Sequence, residues 1–128
     1  MIITPTHITN LKSKEIFVFG SNKLGHHIGG AARQAFQDFG AIWGKGFGFQ
    51  GNSFAIPTLN ENMKRLDLGE LSMHVNMFIS LAIQNINLKF LVTEIGCGIA
   101  GFKHSEIAPL FQSAKYIENI YLPEKFLI

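Results

Sequence analysis

The sequence predicts an α/β fold with a mainly parallel sheet and helices on both faces. Three observations predict it. Strand-like runs alternate with runs at helical spacing, the order that builds parallel sheets through crossover helices. The runs 16–19 and 90–92 are apolar nearly throughout, as central strands covered on both faces are. Each is followed by a glycine-rich segment and then a helix-like segment.

The length of 128 residues suits one domain, 1–128. An apolar content of 47% is enough for a core, and 16% charged residues argue against long disordered tails. The formal charge of +2 is too balanced to argue for a nucleic-acid surface. The single cysteine excludes an internal disulfide and fits a reducing compartment. Residues 1–5 show no basic and apolar leader pattern, and no uncharged run reaches the ~18 residues of a membrane span. The expectation is a cytoplasmic protein without membrane contact.

Residues 2–3 read as a short strand ended by Pro5, and 6–14 as a loop. Residues 15–19 are the first central strand, with Gly20, Ser21 and Asn22 opening a loop at its carboxyl end. The helix over 29–39 carries Ala31, Ala32, Ala35, Phe36 and Phe39 on one stripe, with Gly40 at its stop. In 41–50, Gly44, Gly46 and Gly48 alternate with Lys45, Phe47 and Phe49. A glycine at every second position packs poorly in a strand, so this is a loop or irregular hairpin. Residues 53–57 form a strand, and 58–68 a polar surface loop, the most mobile part expected. A helix over 70–85 buries Leu71, Val75, Phe78, Ile79 and Ala82, with Met73, Met77 and Leu81 widening the face. A strand over 89–95 enters the loop Gly96, Cys97, Gly98, Ile99, Ala100, Gly101. A helix over about 106–115 must start close to Pro109, because proline breaks a helix interior. Residues 119–122 are a last strand, stopped by Pro123.

In such sheets ligands bind beyond the carboxyl ends of the strands, where both glycine segments fall. Gly96, Gly98 and Gly101 match G-x-G-x-x-G between a strand and a helix, an order that presents backbone N–H groups to phosphate. The acidic residue of a dinucleotide fold would have to be Glu124, with too little chain beyond it for the rest of that fold. The other choice is a glycine turn without a ligand; the matching first loop favours phosphate contact.

Asn22 can hold a ribose hydroxyl or a water, or form an Asx turn; Ser21 is a weaker candidate of the same kind. His26 and His27 are adjacent, so one faces a site there, as a general acid/base or a phosphate donor, or else both are loop residues. They lack the partners of a metal site, and none is expected. Cys97 is a nucleophile if His104 reaches it, and otherwise a small loop residue, which is the favoured reading. Glu94 is a paired carboxylate, a catalytic base or a loop charge. Lys45 can reach a phosphate or act as a nucleophile, against the default of a solvated lysine. Phe47, Phe49 and Phe102 can stack on a base, though aromatics are more often core.

Taken together, IFVFGSNKLGHHIGGAARQAFQDFG resembles the first ligand loop of macrodomains, and TEIGCGIAGFKHSEIAPLF resembles the second. The GCG-x-x-G-F form resembles macrodomains of the DNA-ADP-ribosyl hydrolase antitoxin type more than the commonest version. The whole chain, with FAIPT between the loops, is similar to small phage and bacterial macrodomain-like proteins. The resemblance implies a three-layer α/β/α fold that binds ADP-ribose or a related nucleotide between the loops and hydrolyses an ADP-ribosyl linkage. The alternative is a non-catalytic module that binds ADP-ribose or an NAD metabolite. It implies Asn22, with Gly20 and Ser21, beside the distal ribose and Gly29 and Gly30 under it. It implies Gly96, Cys97, Gly98, Ile99, Ala100 and Gly101 around the diphosphate, and Phe102 near the distal ribose. In the hydrolytic reading Asn22 positions water or ribose and His27 or Glu94 moves protons. Partners are then ADP-ribose or an ADP-ribosylated substrate, with nucleic acid only in ADP-ribosylated form; no cofactor is called for. The chain departs from the pattern at Ile28, where glycine is usual. It also has no Asp before Asp38 for adenine, and no secure counterpart for a nucleophilic lysine, Lys45 aside.

Overall fold

The structure, a computed structural model, describes residues 2–127. A five-stranded sheet runs in the order β2-β3-β1-β4-β5. Its strands are β1 (Glu15–Asn22), β2 (Gly48–Gln50), β3 (Ser53–Leu59), β4 (Lys89–Val92) and β5 (Ile120–Tyr121). All pairs are parallel except the β2–β3 hairpin at one edge. The α/β class with a mainly parallel sheet is therefore as expected.

Alternate residues of β1 feed two cores, as the two-residue period of a strand requires. Phe17 and Phe19 pack with Ala32, Ala35 and Phe39 of helix α1 (Gly30–Asp38). Ile16 and Val18 pack with Leu71, Val75, Phe78 and Ala82 of helix α2 (Leu68–Gln84). The two helices thus cover opposite faces, and β1 is buried between them. The whole predicted inner face of α2 is buried, but Met73 and Met77 stand about half exposed and do not widen it. Phe36 likewise points away from the α1 core, 44% exposed. Asp67 caps α2, accepting the Glu70 N–H at 2.8 Å.

Several boundaries differ from expectation. β1 does not end at Phe19. Gly20, Ser21 and Asn22 stay in the sheet opposite Ile56, Pro57 and Leu59, with a register shift between Ser21 and Asn22. β4 ends at Val92 rather than 95. The Thr93 N–H (3.1 Å) and hydroxyl (2.7 Å) both donate to the Val18 carbonyl, and the chain then turns through an Ile95 N–H to Thr93 C=O bond of 2.8 Å. The helix expected over 106–115 is one α-turn, α3 (His104–Ile107), followed by a 3₁₀ stretch, Ala108–Ala114. Pro109, which has no N–H to give to the α ladder, stands near the start of that stretch. The 41–50 segment does hold a hairpin strand, β2, at its end.

The 60–67 segment was expected to be mobile, yet it is tied down. The Asn60 side chain accepts N–H bonds from Asn62 (2.8 Å) and Lys64 (3.1 Å), and the Leu66 N–H reaches the Thr58 carbonyl at 3.0 Å. Residues 2–3 contribute only a bridge, with Ile3 parallel to Leu122. Thr4 N–H to Leu122 C=O (2.8 Å) and Leu122 N–H to Ile2 C=O (3.1 Å) seal it. No helix among the described residues is long and apolar enough to cross a membrane.

Candidate functional site

The carboxyl ends of β1 and β4 open into a cleft of about 330 Å³. One wall is Gly20, Ser21 and Asn22 with the turn leading into α1. The other is the segment from Thr93 to Ala100. Met63 and Thr58 close the side towards β3. A second chamber of about 350 Å³ adjoins it, lined by Thr4, Thr6, Ile8, Gln34 and residues 123–125. Ala31, Thr93 and Glu94 line both chambers, so they form one continuous depression.

The first wall is wired by its polar side chains. The Asn22 Oδ1 accepts the His26 N–H at 3.0 Å, and its Nδ2 donates to the His26 carbonyl at 2.9 Å. This closes an Asx-type turn over Gly25, whose φ of +69° and close approach to Lys45 leave no room for a Cβ. The Ser21 hydroxyl donates to the Gly46 carbonyl, and Gly46 presses on the Asn22 carbonyl, where a Cβ would come within 2.3 Å. Of the alternating glycines, Gly46 packs backbone against backbone on the end of β1, whereas Gly44 and Gly48 have open space around them and left-handed φ values of +92° and +98°.

The two adjacent histidines part company. His26 lines the cleft, its ring stacked on Trp43 at 5.0 Å. His27, expected to be catalytic, is 1% exposed and does not line the cleft. Its Nε2 lies 2.9 Å from the Ile42 carbonyl and 3.1 Å from Gln50 Oε1. Both are acceptors, so Nε2 carries the proton, and Nδ1 is left without a partner. Gln50 also accepts the Ile42 N–H at 2.8 Å and donates to the Lys45 carbonyl at 3.0 Å. The pair locks 41–50 onto the first loop. Strict burial of the second of two histidines has no signature in composition; the only cue was that adjacent side chains diverge.

At the turn into α1 no side chain caps the helix, and the first helical bond is Arg33 N–H to Gly29 C=O at 3.3 Å. The N–H groups of Gly30, Ala31 and Ala32 therefore have no internal acceptor among the described residues. All three residues line the cleft. In the opposite wall, Cys97, Gly101 and Phe102 donate to Glu94, Gly98 and Gly96 at 3.1, 3.0 and 2.8 Å. The N–H groups of Gly98, Ile99 and Ala100 remain unpaired in the same sense, and these residues also line the cleft. The Ile99 side chain reaches across to Gly29, where a Cβ would lie 3.0 Å away.

Gly96 has φ +79° and abuts Phe102, so its glycine is structural. Gly98 has neither a left-handed φ nor any atom within 4 Å of a Cβ. Gly101 and Phe102 do not line the cleft; Phe102 is buried beneath the loop. Glu94 sits where the chambers meet, its Oε1 2.6 Å from His104 Nε2. Burial, and after it the Glu94 charge, push the Cys97 thiol up to about 11, so it rests protonated and reacts slowly. Lys45 does not line the cleft; its ammonium donates to the Phe49 carbonyl at 2.5 Å. Phe47 and Phe49 pack edge-on against Phe54 in the core. No cluster of three or more His, Cys, Asp or Glu that could hold a metal occurs among the described residues.

No family model, curated protein or solved structure matches the chain.

Proposed function

We propose that the protein binds ADP-ribose, or a nucleotide closely related to it, in this cleft, with a three-layer macrodomain-like arrangement around it. The observation that carries the reading is the pair of unpaired N–H sets, Gly30–Ala32 and Gly98–Ala100, lining one cleft from opposite walls. A helix N-terminus and a glycine-rich turn are both anion sites, and together they suit a diphosphate. Among the described residues no lysine or arginine lines the first chamber, and Lys125 lines only the adjoining one, so backbone dipoles would carry the recognition between the two loops. The adjoining chamber, with the buried and unpartnered Thr4 hydroxyl, Thr6 and Gln34, suits a nucleobase and its ribose. The end near Asn22 and His26 suits a second ribose.

Hydrolysis of an ADP-ribosyl linkage is the second reading, favoured by His26 on the cleft wall. His26 takes the proton-transfer role first given to His27. Asn22 spends one donor and one acceptor site on the His26 backbone, which leaves one of each for a ribose or a water.

A thermal-shift series with ADP-ribose, ADP-ribose 1″-phosphate, NAD and AMP tests the proposal. A one-site ligand at 100 times its Kd adds about 2.7 kcal/mol of stability. ADP-ribose is expected to stabilise most, and AMP weakly; no shift with any of the four sinks the binding reading. A His26→Ala protein that binds ADP-ribose normally and fails to release it from an ADP-ribosylated acceptor would support hydrolysis. An acceptor left intact by the wild type would leave the binding module alone.

A further inference from the structure

We propose that Arg65 is a positioning residue that sets the second glycine loop from outside it. Two glycines of that loop are open on their outer side, where a Cβ at Gly98 or Gly101 would meet nothing within 4 Å, although Ala100 between them is buried in the main core. The loop's base is closed where the Phe102 N–H returns to the Gly96 carbonyl at 2.8 Å, so the base and Ala100 together set where the amides of 98–100 point. Arg65 grips that base twice. Its guanidinium lies 4.5 Å from the centroid of the Phe102 ring, and one of its nitrogens donates to the Gly101 carbonyl at 3.2 Å. Phe102 in turn packs against Gly96.

Arg65 is itself anchored. It bridges Leu59 at the end of β3, and the next residue, Leu66, bonds to Thr58. Asn60 ties the turn before it, and Asp67 caps α2 after it. No carboxylate among the described residues pairs with Arg65. A planar guanidinium can stack on a ring and donate in its own plane at once, which a lysine ammonium cannot do. The 60–67 segment, held by its Asn60 turn, thus links β3 and α2 to the amides of residues 98–100.

The test has one arm without ligand. Cys97 is the single thiol of the chain and lies in the loop, so its alkylation by iodoacetamide reports the loop alone. Arg65→Ala is expected to alkylate severalfold faster than wild type at an unchanged Tm, and Arg65→Lys to resemble it. The second arm rests on the binding reading: ADP-ribose affinity should fall about fivefold or more in both variants, with AMP little affected. Alkylation at the wild-type rate in Arg65→Ala overturns the proposal. So does full rescue by lysine, which would mean a point charge suffices, and so does a large loss of Tm, which would make Arg65 a stabilising residue only. Should the wild type ignore ADP-ribose while Arg65→Ala still alkylates faster, the positioning role stands and the functional reading falls.

Discussion

The two glycine loops face one cleft and are held in opposite ways. The first, 25–30, is fastened by side chains: Asn22 to the His26 backbone, Ser21 to Gly46, His27 to Ile42 and Gln50. The second, 96–101, is fastened by backbone turns, by Gly96 against Phe102, and by one arginine from another segment. The difference separates two kinds of conspicuous residue. In the first loop the polar side chains that look chemical serve mainly as scaffold. In the second, the residues without functional groups leave the amides free.

The largest effect that would break this comparison is expected at His27. His27→Ala removes a buried ring, leaves the Ile42 carbonyl without its donor, and frees Gln50. It should cost about 2–4 kcal/mol of stability. That is on the order of 10 °C in Tm for a domain of this size. Thermal and urea unfolding measure it; a variant as stable as wild type would mean His27 is no anchor and would return it to consideration as a functional residue.

Asn22→Ala is next. Two hydrogen bonds to the His26 backbone are lost, at a cost of about 1–3 kcal/mol, with weaker ADP-ribose binding following from the displaced first loop. Unfolding and titration calorimetry on one preparation separate the two effects. Full stability with binding abolished would make the carboxamide a ligand group first and a turn residue second.

Gly98→Val carries the smallest structural effect and so sharpens the comparison most. Position 98 has room for a side chain and an ordinary φ, so Tm should stay within a few degrees. If the amides of 98–100 meet a diphosphate, the isopropyl group intrudes where the ligand must lie. ADP-ribose affinity should then fall more than tenfold, above about 1.4 kcal/mol. Wild-type affinity in the folded variant would remove the diphosphate from this loop.

Much of this was legible in the chain. The alternation of apolar runs located β1, β3, β4, α1 and α2, because each pattern reflects burial on a definite face. The glycine segments pointed to the cleft because strands of a parallel sheet end on one side. What escaped reading depended on partners distant in sequence. Gly20 looked like the end of a strand, yet it continues β1 because Ile56 of β3 lies opposite it. Residues 93–95 looked like strand, yet beyond the Thr93 N–H and hydroxyl bonds to the Val18 carbonyl the chain turns, the Ile95 N–H donating to the Thr93 carbonyl. His26 and His27 are alike in sequence, and only Gln50 and Ile42, on another segment, decide which one is buried. Gly96 and Gly98 are equally alike, and differ only because Phe102 folds back under one of them.

The seam between Ile3 and Leu122 bears on how the chain assembles. β1 is made early, but its neighbour β4 and the Leu122 strip come last, and Glu15 must wait for Lys89. Pairings so far apart in sequence carry a high loop-closure cost, which slows folding. Until they form, a nascent chain holds at most the β1–β3–β2 half of the sheet, with one flank of β1 unpaired. Such a flank is a template for other strands, so a chain stalled before Lys89 would be prone to aggregation.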